Sequence, residues 1–323
     1  MRVLVVSRYK EDFADHQLPF VTEQGESIRA LGHEVEYFLV RGNYITAVKA
    51  LKKKIWEFKP DIIHAHYGLS AITAELQNEV PVVATFHNGE TLNPLVNFAS
   101  SLMSLRAKHV IYVAKHIREK LYFKTKNYSI IPCGVPLEQM AVTPRGKARK
   151  KLGWDANKKY ILFGGAFENE RKNYKLLAEA VERLKNEGMK DIECIEMKGL
   201  SRSECVLRMN AADVFALPSH SEGSPQALKE AMAVNSPCIA TDIADVKELF
   251  GDEPGHYLLR NPRKTRERWE ADERSLDEMT DLLREALMFE GRTKGRERIE
   301  ELGLTNEKVA ERLLEIYKRV LSE

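Results

Sequence analysis

What the chain lacks narrows it first. None of its 323 residues belongs to a run of about 18 apolar positions, so nothing reads as a membrane-spanning helix. Cysteine is scarce: Cys133, Cys194, Cys205 and Cys238 are scattered, with no C-x-x-C pair. That excludes a disulfide framework or a cysteine zinc site and reads as reduced thiols in a cytoplasmic protein. The first residues, MRVLVVSRYK, enter an apolar strand without the longer apolar core and small-residue cleavage site of a secretory leader. No G-x-G-x-x-G follows that strand, which argues against dinucleotide redox chemistry. Net charge is only +2, so a nucleic-acid partner is not expected.

The charge is unevenly spread. Residues 1–150 hold 21 Lys and Arg against 14 Asp and Glu, or +7; subtraction from 50 and 48 leaves 29 and 34, or −5, for the rest. Two readings stand open for the basic front half: an anionic partner, phosphate or membrane surface, or ordinary surface variation. Val48, Leu51 and Trp56 beside Lys52–Lys54 are one candidate membrane contact, with core packing the alternative for the apolar ones.

Apolar runs of strand length alternate with helical patterns: 3–6, 34–40, 61–66, 80–87, 109–114 and 128–132, then 159–165, 192–197, 213–219 and 237–241. Strands separated by helices predict βαβ units and parallel sheets. A Pro-, Gly- and Lys-rich stretch at 141–159 interrupts the order, which predicts one domain over 1–145 and a second over 146–304. A final helix with Thr305 as N-cap buries Val309, Leu313, Ile316, Tyr317 and Val320.

SEGSPQALKEAMAVNSPCIAT, residues 221–241, carries the chemistry. Ser224 suits an N-cap, Pro225 a first helical residue, and Asn235 a left-handed stop. The helix follows a buried strand, so its mouth lies at the carboxyl edge of a parallel sheet, where amides and macrodipole attract a diphosphate. Gly223 permits close backbone approach; Glu222 and Glu230, on either side of the mouth, suit the hydroxyls of a sugar and a ribose. On spacing alone, a plain helix with two solvated glutamates is the alternative.

The stretch resembles the E-x7-E signature of retaining GT-B glycosyltransferases, particularly family 4 and the subgroup reading E-G-S-P then K-E-A-M-A. The resemblance implies two Rossmann-like doubly wound domains facing a cleft, the second holding a nucleotide-diphosphate sugar. Glu222 would then contact the donor sugar and Glu230 the ribose, with Gly223, Ser224, Pro225, Gln226 and Ala227 around the diphosphate; Pro225 offers no N–H, so Gln226 and Ala227 must donate. GGAFENERKNYKLLAEA (164–180) resembles the family's Gly-rich strand end and basic pair, implying Gly165, Arg171 and Lys172 at the donor. Ala166 and Asn173 depart from its commoner form. DIIHAHYG and VVATFHNGE resemble further segments and point to His87, with Asn88, on the acceptor side. IPCGVP (131–136) resembles the segment closing the first domain, with Cys133 and Pro136 as departures, and the loop after the first strand has no Gly before Gly25. His64, His66 and His87 could suggest a metal, but no carboxylate or Cys completes a set, and no metal or cofactor is expected. The final helix is expected to return to the first domain. The implied function is retaining sugar transfer to a glycan or lipid-linked acceptor, with localisation in the cytoplasm or peripherally at the inner membrane face. An epimerase or hydrolase on the same architecture and a non-catalytic nucleotide-binding protein are the alternatives.

Overall fold

The computed structural model describes residues 1–11, 17–260 and 273–323. Its strands are β1 (Arg2–Arg8), β2 (Glu34–Val40), β3 (Ile62–His66), β4 (Val82–Phe86), β5 (His109–Tyr112), β6 (Tyr128–Ile130), β7 (Lys159–Phe163), β8 (Ile192–Glu196), β9 (Val214–Leu217), β10 (Cys238–Thr241) and β11 (His256–Leu259). Between the strands of the first sheet lie α1 (Pro19–Ala30), α2 (Val48–Phe58), α3 (Gly68–Glu75), α4 (Pro94–Arg106) and α5 (Lys115–Lys120). The second sheet is dressed by α6 (Arg145–Leu152), α7 (Tyr174–Asn186), α8 (Arg202–Ala211), α9 (Gln226–Ala233), α10 (Val246–Phe250), α11 (Glu273–Met288) and α12 (Gly295–Glu301). Last comes α13 (Asn306–Ser322).

All strand pairs are parallel, in the orders β2-β1-β3-β4-β5-β6 and β11-β10-β9-β7-β8. This is the expected α/β class with two doubly wound sheets. Alternation along β1 shows why each sheet needs helices on both faces. Leu4 and Val6 pack with Leu51, Ile55 and Phe58 of α2, whereas Val3 and Val5 pack with Val21 and Ile28 of α1 and with α13. In the second sheet Ile161 and Phe163 of β7 meet Leu176, Leu177 and Leu184 of α7 and Met279 and Leu283 of α11.

The chain divides into two compact units, Met1–Gly134 with Leu304–Glu323, and Val135–Gly303. The break precedes the stretch at 141–159 because the intervening backbone is already tied to the second unit. Arg296 donates to the carbonyls of Leu137 and Met140, and the Asn210 carboxamide accepts from Thr143 N–H. Strand β11 lies beyond the last strand expected; its HYLL run is short and only Leu259 is fully buried, so it carries a weak apolar signal.

Candidate active site

In the second unit, β7 ends in Gly164-Gly165, and β9 beside it leads into the loop before α9. A short 3-10 turn, Glu170–Lys172, places two cations against that loop. Lys172 Nζ donates to Glu222 Oε1 at 2.7 Å, and Arg171 Nη1 lies 3.2 Å from the same oxygen. Arg171 also donates to the Ser221 carbonyl, and its own carbonyl accepts from His220 N–H at 2.9 Å. A Cβ on Gly165 would sit 3.0 Å from Lys172 Cγ, so glycine there gives the lysine stem its path. Burial pushes the Glu222 carboxyl upward, but the charges of Lys172 and Arg171 outweigh it and hold the group below the usual glutamate value. Glu222 is thus a largely buried anion with two cations in place.

Helix α9 starts at Gln226, with Pro225 rather than Ser224 in the cap position and no side-chain cap. Ser224 was expected to cap; its hydroxyl instead donates to Asp245 Oδ2 at 2.6 Å. The reason is competition: a hydroxyl that can donate to a carboxylate makes a charge-assisted bond, stronger than the neutral bond of a cap. The first rung of α9 is Lys229 N–H to the Pro225 carbonyl, so the amides of Ala227 and Leu228 precede the ladder. Asn235 takes the left-handed conformation (φ 59°) expected of the stop.

Glu230 is buried and paired with Arg202, the first residue of α8. Burial raises its carboxyl above the usual value, with Arg202 opposing. Sequence reasoning missed Arg202, although Ser201 and Glu204 form a capping box that marks its position. It also missed Lys229, which is 0% exposed and lowers the carboxyls of both Glu230 and Asp245 electrostatically.

The residues assigned to the acceptor lie in the first unit. His64, His66 and His87 stack at centroid distances of 4.5 and 5.3 Å. His64 is bonded to Thr85 Oγ1 (2.7 Å) and to the Tyr317 hydroxyl, and His66 Nδ1 to His87 Nε2 (3.0 Å). Burial lowers His64 to about 3 and His66 well below its usual value, so both are neutral, hydrogen-bonded rings. Among the described residues no three His, Cys, Asp or Glu converge as metal ligands. Beside this stack a pocket of about 260 Å³ is lined by Arg8, Lys10, Tyr44, Tyr67, Glu90 and Val96, among others. Residues 12–16, part of the glycine-poor loop after β1, lie outside the described residues.

Two backbone conformations that side chains rarely adopt border the pocket: Tyr67 at φ 70° and Asn88 at φ 94°. Glu90, 1% exposed, accepts from Gly68 N–H (3.0 Å) and His87 N–H (3.1 Å). Burial raises it to about 7, against those amide bonds. Glu90 was passed over in VVATFHNGE because a glutamate after Gly reads as a solvated turn residue.

Residues 3–139 match the family described as Glycosyltransferase Family 4, and residues 158–271 match Glycosyl transferases group 1. The glycosyltransferase TuaC of Bacillus subtilis (strain 168), named for teichuronic acid biosynthesis, is 27% identical over 243 residues, 67% of this chain and 61% of the relative. The chain spans about three fifths of the length of the curated relatives it matches first. A sucrose-phosphate synthase from Thermosynechococcus elongatus superposes at a TM-score of 0.79, 17% identical over 99% of both chains. HepE of Anabaena, solved with UDP, superposes at 0.75, 13% identical over 99% of this chain and 100% of that one. The fold is thus of the GT-B class, and the two parts of the chain are each similar to a glycosyltransferase family.

Proposed function

We propose that the chain is a retaining glycosyltransferase that moves a sugar from a nucleotide-diphosphate donor to a hydroxyl of a growing polysaccharide or glycolipid. The convergence of Lys172 and Arg171 on the largely buried Glu222, at the carboxyl edge of the second sheet and beside the start of α9, carries this reading. UDP bound to HepE and the biosynthetic role in the name of TuaC support the donor and product classes.

In the reaction the bond from the anomeric carbon to the diphosphate oxygen breaks, its electron pair leaving with the diphosphate. The acceptor oxygen forms the new bond on the same face, and its proton passes to a leaving phosphate oxygen. Lys172 and Arg171 neutralise the charge that grows on that group, so no metal is assigned this task. The amides of Gln226 and Ala227 add fixed dipoles, with Gly165, Gly223, Ser224 and Pro225 shaping the backbone around them. Glu222 accepts from a sugar hydroxyl and Glu230, steadied by Arg202, from the ribose. His87 and Asn88 belong to the acceptor side.

Glu222→Ala and Lys172→Ala should each abolish turnover with the far-UV spectrum and melting transition kept; near-normal turnover in either refutes the assignment. A product whose anomeric proton coupling shows inversion refutes the retaining course alone.

A further inference from the structure

Helix α4 is inside out. Its buried positions are Asn97, Ser100, Ser101 and Ser104, while Leu95 (81% exposed), Phe98, Leu102 and Leu105 face solvent. The polar face has local work. Asn97 donates to the Lys120 carbonyl (2.9 Å), and Tyr122 N–H donates to Ser101 Oγ (3.1 Å). Ser100 fits against Gly68 of α3, where an added Cβ would meet its hydroxyl at 2.1 Å. These contacts occupy Asn97, Ser100 and Ser101 but leave four large apolar side chains of the helix in water. A contiguous exposed stripe of this kind marks a docking surface.

The stripe continues off the helix. The Phe98 and Phe123 rings lie 5.8 Å apart, and Tyr122 and Phe123 are both exposed. Lys120, Lys124 and Lys126 interleave with them in KLYFKTK and make no ion pair among the described residues. Over residues 91–126 there are seven Lys and Arg and one acid, Glu119. The stretch of α2 considered above also exposes an aromatic, Trp56 (78%), but differs in its other residues. Leu51 is buried, and Lys52, Lys53 and Lys54 pair with Glu79, Glu57 and Glu36.

We propose that this face of the first unit docks on an anionic lipid bilayer. The stripe of α4, with Tyr122 and Phe123, enters the boundary between headgroups and acyl chains, while Lys120, Lys124 and Lys126 meet anionic headgroups. A second copy of the chain fits worse, because apposed faces would set lysine against lysine. Val96, one residue along α4 from Leu95, lines the 260 Å³ pocket, so the docked helix would also border the place assigned to the acceptor. Docking requires no catalysis, and its test stands apart from the assignment of sugar transfer.

The full chain is floated with vesicles of phosphatidylcholine alone or with roughly one third phosphatidylglycerol at physiological ionic strength. Wild type should rise only with the anionic vesicles. Phe98→Ser/Leu102→Ser and Lys124→Glu/Lys126→Glu should each lower the bound fraction at least about ten-fold with unchanged melting temperature, and Trp56→Ser should leave it unchanged. No flotation, equal flotation with both vesicles, or variants that float like wild type would overturn the proposal. So would a concentration-dependent dimer, seen by sedimentation, that Phe98→Ser/Leu102→Ser dissociates.

Discussion

At the scale of single residues, the most informative group outside the proposed donor site is Glu90. A carboxyl raised from 4.5 to about 7 by burial binds its proton more tightly folded than unfolded. Its contribution is therefore full below about pH 4.5 and is lost as pH rises to 7. Glu90→Gln cannot titrate, so the stability of wild type relative to this variant should fall between pH 5 and 8 by on the order of 2–3 kcal/mol. Urea melts at several pH values measure that gap, and a flat one would show that Glu90 is ionised throughout. Glu90 and Glu222 also show what a sequence discloses. Glu222, Lys172 and Arg171 stood out as a set because their segments resemble motifs of a known family, and the fold brings the three side chains together. Glu90, Lys229 and Asp245 did not, because a charged letter gives no sign of burial; only the fold shows that Lys229 is sealed beside Asp245.

Elements obey the same division. Helix α13 buries the residues its periodicity predicts, since an apolar stripe is what draws a helix onto a sheet. Helix α4 escaped the same test because its stripe faces outward, and periodicity cannot say which side of a helix is the core. Packing between elements is equally hidden. Helix α12 reaches α9 at Gly295, where a Cβ would lie 2.6 Å from the Met232 carbonyl oxygen. Arg296 N–H then donates to the Asn235 side chain at the end of α9 (2.8 Å). Backbone cannot yield as a side-chain tip can, so Gly295→Ala should shift α12, cost about 1–3 kcal/mol and weaken nucleotide-sugar affinity at α9. Gly146, in α6, has nothing within 4 Å of its notional Cβ. Gly146→Ala should change sign and stabilise by up to about 1 kcal/mol. Denaturant midpoints of the two variants decide it: equal shifts would mean that the close approach is not what requires glycine at 295.

Over the whole molecule the chain leaves the first unit at Gly134 and re-enters it at Leu304, so its last helix completes a core begun by its first strand. Val309, Leu313, Tyr317 and Val320 of α13 pack with Val3, Val5 and Ile28, and the Tyr317 hydroxyl bonds to His64 Nδ1 across 253 positions of sequence. His64 holds one ring nitrogen on Thr85 and the other on Tyr317, and burial keeps the ring neutral, so neither nitrogen has water as a substitute partner. Tyr317→Phe keeps the ring and removes the oxygen, leaving a buried nitrogen without a bond at a cost of about 1–3 kcal/mol. If α13 belongs energetically to the first unit, calorimetry should show the loss in that unit's transition, with nucleotide-sugar affinity in the second unit unchanged. A Tyr317→Phe protein that melts like wild type would mean that the bond contributes nothing. One that loses donor affinity would mean that the two units do not respond to the chain's end separately.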